Sequence, residues 1–253
     1  MIDSFFAMFF VVLLMRLLVM KSSQPLSWHE CVIKSGVEVL AVILLIEARP
    51  GVAAQYILAL GLLPAINIVT VLLEPRAERL PPGRLVSLAV TVVVLGILFS
   101  DELELQIYPG LRDTVLSWGD GFLPLAVLAR YPWLTICIVG TGLLLCLRET
   151  SYVIRLLINS LRLRPELAEP DCEADDEPGR GRLIGMLERV FVFGFVLSGQ
   201  YVALGFVLAA KGFARFRKMD DRDFAEYVLI GTLASMVAAS AVALGVRAIL
   251  QGP

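Results

Sequence analysis

Of 253 residues, 58% are hydrophobic and 18% charged, against roughly 45–50% and about 25% in an ordinary soluble domain. A mean hydropathy of +0.79 over the whole length excludes a soluble domain held by one anchoring helix and implies a membrane protein. With a formal net charge of −2, no global basic balance points to nucleic acid as a partner.

Spanning candidates are apolar runs of about 20 residues, the length that crosses a hydrocarbon core of about 30 Å. Seven such runs are present, at 5–20, 32–48, 51–73, 84–99, 132–147, 187–210 and 224–250. The chain therefore reads as an all-α, polytopic transmembrane bundle of about seven spans, with six to eight as the range. The first run lacks a basic leader and a small-x-small cleavage site and carries Arg16, so it reads as a retained span rather than a secretory signal. Ahead of the second run, Ser27, His29 and Glu30 beside Trp28 read as an interfacial helix N-cap. The second and third runs are separated by Glu47-Ala48-Arg49-Pro50-Gly51. Pro lacks a donor and Gly permits a reversal, which predicts a tight antiparallel hairpin.

Residues 74–83 form a charged, proline-rich surface connection. The mixed stretch 100–131 reads as interfacial or re-entrant, flanked by Tyr108, Trp118, Tyr131 and Trp133, whose amphipathic rings suit the headgroup level. Beyond the fifth run, Ile154, Leu157, Ile158 and Leu161 repeat at helical spacing while Arg155, Arg162 and Arg164 stay polar. That pattern predicts a helix continuing past the bilayer. Residues 165–182 form an acidic flexible loop with almost nothing apolar to bury. Alternating Asp171, Glu173 and Asp175 resemble a calcium loop, but the central Gly and closing Glu are missing. The implied organisation is a bundle of about five spans over 1–164, the acidic loop at 165–182, and a C-terminal helical hairpin over 183–253.

Seven crossings leave orientation in conflict. The first, third and fifth loops with the C-terminus hold eleven basic residues and the opposite side eight, so the positive-inside rule favours an external N-terminus. The basic sixth loop then falls on the wrong side. The conflict vanishes if 187–210 re-enters around Ser198-Gly199-Gln200, or if 100–131 changes the parity.

Polar residues within the apolar runs are the functional candidates, because charge at membrane depth is expensive. Lys34 and Glu38 stand four apart and can pair on one helix face, and with Asn67 they form a candidate intramembrane polar cluster. In the third run Gln55, Asn67 and Thr70 surround a kink at Pro64, whose freed carbonyl a neighbouring Asn or Thr can satisfy. Gly231, Ser235, Ala239 and Ala243 repeat every four residues, a close-packing face suited either to intramolecular packing or to a homodimer.

Enzyme and metal signatures fail. The His29-Glu30 pair has Ile33 where a zinc protease needs its second histidine. No nucleophile elbow, P-loop or dinucleotide fingerprint is present, and the four cysteines, Cys31, Cys137, Cys146 and Cys172, show no metal or disulfide spacing. The expectation is a protein without metal or cofactor and not an enzyme.

One stretch resembles a known family. Gly179-Arg180-Gly181-Arg182-Leu183-Ile184-Gly185-Met186-Leu187-Glu188-Arg189, then Gly199-Gln200, Ala209-Ala210-Lys211, Arg215-Phe216 and the run from Phe224 to Thr232 resemble bacterial membrane proteins grouped as domain of unknown function 3307. The likeness covers about residues 179–245, on the scale of one helical hairpin. It implies a bacterial integral membrane protein and a single motif made of Glu188, Arg189, Gln200, Lys211, Arg215, Glu226 and Tyr227, candidates for contact with lipid or solute. It supplies no established activity.

The leading expectation is a non-enzymatic scaffold or regulatory subunit in a bacterial inner membrane, contacting lipids and a protein partner or a second copy through small-residue faces. A small-solute or lipid transporter is the alternative, and an intramembrane enzyme comes third.

Overall fold

The computed structural model describes residues 2–19, 27–47, 53–73, 83–100, 131–160, 177–215 and 222–252, which are helical with short caps and turns and without a β-strand. In chain order the helices are α1 (Ile2–Val19), α2 (Trp28–Leu45), α3 (Ala53–Leu73), α4 (Gly83–Leu98) and α5 (Trp133–Leu144). A π-turn, Leu145–Glu149, carries α5 into α6 (Thr150–Ser160), followed by α7 (Glu177–Leu197), α8 (Val202–Arg215) and α9 (Arg222–Leu250). Three stretches are long and apolar enough to cross a membrane: Ala53–Leu72, Trp133–Ser160 and Val228–Leu250. The interfacial or re-entrant segment expected at 100–131 lies, over 101–130, outside the described residues, as does 165–176 of the acidic loop.

The chain divides into two compact units, Met1–Thr141 and Gly142–Pro253. In the first, α1 packs on α2, α2 on α3, α3 on α4 and α4 back on α1. Their apolar faces meet through Met8, Val12 and Leu13 of α1, Val42 of α2, Leu63 of α3 and Leu95 of α4, all buried. The expected N-cap of α2 is present as a capping box: Glu30 N donates to Ser27 Oγ at 3.2 Å and Ser27 N to Glu30 Oε2 at 3.0 Å, which satisfies two otherwise orphaned donors. Cys31 packs against Val71 while Lys34 reaches Asn67, so α2 and α3 run antiparallel, as the Pro50-Gly51 break predicts.

Pro64 does lie inside α3, but the expected local repair is not made. Asn67 spends its amide on α2 and Thr70 donates to Ile66 O at 2.7 Å. Neither turns to the carbonyl of Leu60, the one that a proline at position 64 leaves without its helical donor.

In the second unit α9 lies against both α7 and α6, and α7 against the π-turn. The small-residue stripe is the seam. Gly231 faces Ile158, Ser235, Ala239 and Ala243 are buried, and the Cys146 thiol sits 4.0 Å from Ala239 O. At Gly142 an added Cβ would lie 2.5 Å from Val246 Cγ2 and 2.9 Å from the Phe193 ring, so only glycine allows that approach. Within this unit the face packs α9 onto the neighbouring helices of its own chain.

Two expectations are corrected here. The run 187–210 is not one continuous helix: α7 stops at Leu197 and α8 starts at Val202. Gly199 takes φ +73°, Gln200 N bonds Phe195 O at 2.7 Å and Gly199 N bonds Val196 O at 3.0 Å. This is a Schellman motif, which caps the last carbonyls of a helix and turns the chain away. Lys211 Nζ comes to 2.5 Å from Glu188 Oε2, so α8 returns along α7 to the level it left. Likewise the acidic loop does not extend to 182, because α7 begins at Glu177, with Pro178 in the first turn where its missing N–H costs nothing.

Candidate functional site

Inside the first unit a polar cluster joins α2 and α3. Lys34 and Glu38, four residues apart, are both buried, and Lys34 Nζ lies 3.6 Å from Glu38 Oε1. Asn67, also buried, stands across from them: its Oδ1 accepts from Lys34 Nζ at 2.5 Å, and its Nδ2 donates to Glu38 Oε2 at 2.6 Å and to Ser35 Oγ at 3.1 Å. A primary amide is suited to this place because one end accepts and the other donates, so it can serve an ammonium and a carboxylate at once. Glu38 Oε1 has no hydrogen-bond partner beyond the ion pair. The three residues expected to form an intramembrane cluster are thus brought together.

A second buried contact ties α1 to α4. Arg16 is 2% exposed, and its guanidinium donates to Ser87 Oγ at 3.4 Å and to Arg84 O at 3.1 Å.

The second unit builds its charged site around the π-turn. There the i→i+5 pattern widens the helix, and Thr150 Oγ1 donates to Leu145 O at 3.1 Å while Ser151 Oγ donates to Leu147 O at 2.9 Å. Arg189 of α7 enters this turn, with Nη2 2.5 Å from Ser151 Oγ and 3.5 Å from Leu147 O. The guanidinium is buried and its Nε has no acceptor. Next to it, Glu188 and Lys211 close the open end of the α7–α8 hairpin, each half-buried. A small, partly open cleft lies among α7, α8 and α9 at this level. Arg189, Lys211 and Glu188 give it a charged side, and Val192, Leu208 and Met236 an apolar one.

Of the seven residues in the C-terminal motif, Glu188, Arg189 and Lys211 therefore meet at one cleft. Gln200 does not join them; it is exposed in the turn at the other end of the hairpin. Arg215 and Tyr227 belong to α8 and α9 with side chains outside the described residues, and Glu226 is exposed in the first turns of α9. Sequence reasoning missed the π-turn, Ser151, and Thr232, which lines the cleft. The adjacent hydroxyls Thr150-Ser151 at the apolar-to-polar transition were the available signal. It also missed the contact of Arg247 with Tyr201 Oη at 2.9 Å, which holds the hairpin tip to α9.

Among the described residues Cys31, Cys137 and Cys146 are free and buried, and no three His, Cys, Asp or Glu side chains stand together as a metal site. Comparison with known families, with characterised proteins and with solved structures finds no match to this chain.

Proposed function

We propose that this chain is a multi-pass protein of a bacterial inner membrane, of the kind its 179–245 segment resembles, acting without a cofactor as a scaffold or regulatory subunit. The supporting observation is the direction in which side chains face. Charged and amide groups are turned inward and served within each unit, by Asn67 for Lys34 and Glu38 and by Ser151 for Arg189. Large apolar side chains face outward on the same helices, among them Ile43 and Leu44, Ile57 and Leu72, Val93 and Ile97, and Val237 and Leu244. In water such surfaces drive aggregation; in a bilayer they meet lipid tails or the helices of a partner.

On this reading 5–20, 32–48, 51–73, 84–99, 132–147 and 224–250 cross, and 187–210 enters and leaves on one side. The expected experiment is native mass spectrometry after gentle extraction. A protein partner retained at fixed stoichiometry, and released when the acidic residues of 166–177 are neutralised, is the predicted result. A partner-free protein that moves solute across reconstituted vesicles, and stops doing so on Lys34→Met, would overturn it. That transporter reading is supported by the meeting of Lys34, Glu38 and Asn67.

A further inference from the structure

The cleft at the open end of the α7–α8 hairpin holds two positive charges against one negative. Arg189 is 6% exposed, and its Nη2 is held by Ser151 and Leu147 O while its Nε donates to nothing. A buried N–H without an acceptor is costly enough that folded proteins rarely leave one. Lys211 carries three donors, of which Glu188 Oε2 engages one at 2.5 Å. One further monoanion, offering several oxygens, would neutralise the cleft and give both cations an acceptor.

We propose that this cleft binds the phosphate of an anionic phospholipid. A phosphodiester has the required charge, and guanidinium and ammonium groups are its usual protein donors. The lipid source is favoured over free phosphate by the rest of the lining, where Val192, Leu208 and Met236 offer apolar surface to an acyl chain. It is also favoured by position. The hairpin returns to the level it left, so Arg180 and Arg182 in the first turns of α7 and Arg215 at the end of α8, with Arg217 and Lys218 following in the chain, belong to its open end, as basic clusters do beside an anionic leaflet. The inference rests on membrane residence but not on the scaffold role.

The test uses the full-length protein in phosphatidylcholine nanodiscs containing a minority of phosphatidylglycerol, with retained lipid read by native mass spectrometry. Phosphatidylglycerol is retained in preference to phosphatidylcholine, and Lys211→Gln lowers that preference about tenfold, the value of one charge-assisted hydrogen bond. Arg189→Lys, which keeps the charge but not the guanidinium fork, lowers it as well. Phe213→Ala, on the outward face of α8, leaves it unchanged. Melting of each variant in pure phosphatidylcholine separates loss of lipid from loss of fold, and if Arg189→Lys does not fold, Lys211→Gln carries the test. Equal retention of the two lipids by the unmodified protein, or an unaltered preference in Lys211→Gln, would overturn the site. Displacement of phosphatidylglycerol by excess inorganic phosphate would overturn the lipid as its occupant. Because the readout is a lipid adduct, its failure is distinct from failure to retain a protein partner.

Discussion

A lysine and a glutamate one helical turn apart can neutralise each other on any helix face, but Lys34 and Glu38 are buried, where an imperfectly served pair is a liability rather than a support. What makes the pair tolerable is Asn67, which reaches both charges from α3. Removing one member strands the others. Glu38→Leu is expected to cost roughly 3–5 kcal/mol, and the all-apolar triple variant Lys34→Met/Glu38→Leu/Asn67→Leu to regain most of it, since replacing a whole buried pair by packed apolar residues is close to neutral. Thermal melting in one detergent checks this, and a triple variant as unstable as the single one would show that the cluster is not self-contained. The i,i+4 spacing of Lys34 and Glu38 made their pairing legible from sequence, and Asn67 stood out as an amide in an apolar run. The meeting of Arg16 with Ser87 and the backbone of Arg84 was not legible, because it depends on which helices become neighbours rather than on spacing within one.

At the scale of elements, the break between α7 and α8 is local chemistry that a count of apolar residues overrides. Length and hydropathy join 187–210 into one span, yet Gly199 sits where a helix C′ residue must adopt the left-handed conformation. Substituting it separates this role from helix packing in general. Gly199→Ala is expected to destabilise by roughly 1–2 kcal/mol, the cost of a Cβ in that conformation. Gly205→Ala, in the middle of α8 with no atom near its added Cβ, is expected to stabilise by up to about 1 kcal/mol through helix propensity. Equal melting shifts for the two would argue against the capped turn. The π-turn left a fainter trace in the sequence. Thr150, Ser151 and the incoming Arg189 all bond at it, a combination that no periodicity within α5 or α6 announces.

For the whole molecule, the proposed topology, in which α8 returns along α7 and 187–210 does not cross, would remove the conflict in charge distribution. With seven crossings the basic loop residues divide eleven to eight. On the proposed six crossings with a hairpin at 187–210, the basic residues of 148–182 and 211–222 would count on one side, and the division would become fifteen to four. That asymmetry is what the positive-inside rule demands of a cytoplasmic face, so the proposed topology predicts an external N-terminus. The helical fold class was legible from hydropathy, as were the three stretches long and apolar enough to cross, Ala53–Leu72, Trp133–Ser160 and Val228–Leu250, since a bilayer demands length and apolarity of each segment. The side reached by the chain after Leu197 was not, because it depends on one turn.

The most direct test is peptide-resolved labelling with a membrane-impermeant maleimide in sealed vesicles of known orientation, reading the native Cys172 before the hairpin and a Lys218→Cys substitution after it. Both thiols are expected to label from the same side, with Cys31, Cys137 and Cys146 protected by burial. Labelling of Cys172 and position 218 from opposite sides would mean that 187–210 crosses the membrane, and would contradict the hairpin and the charge distribution drawn from it.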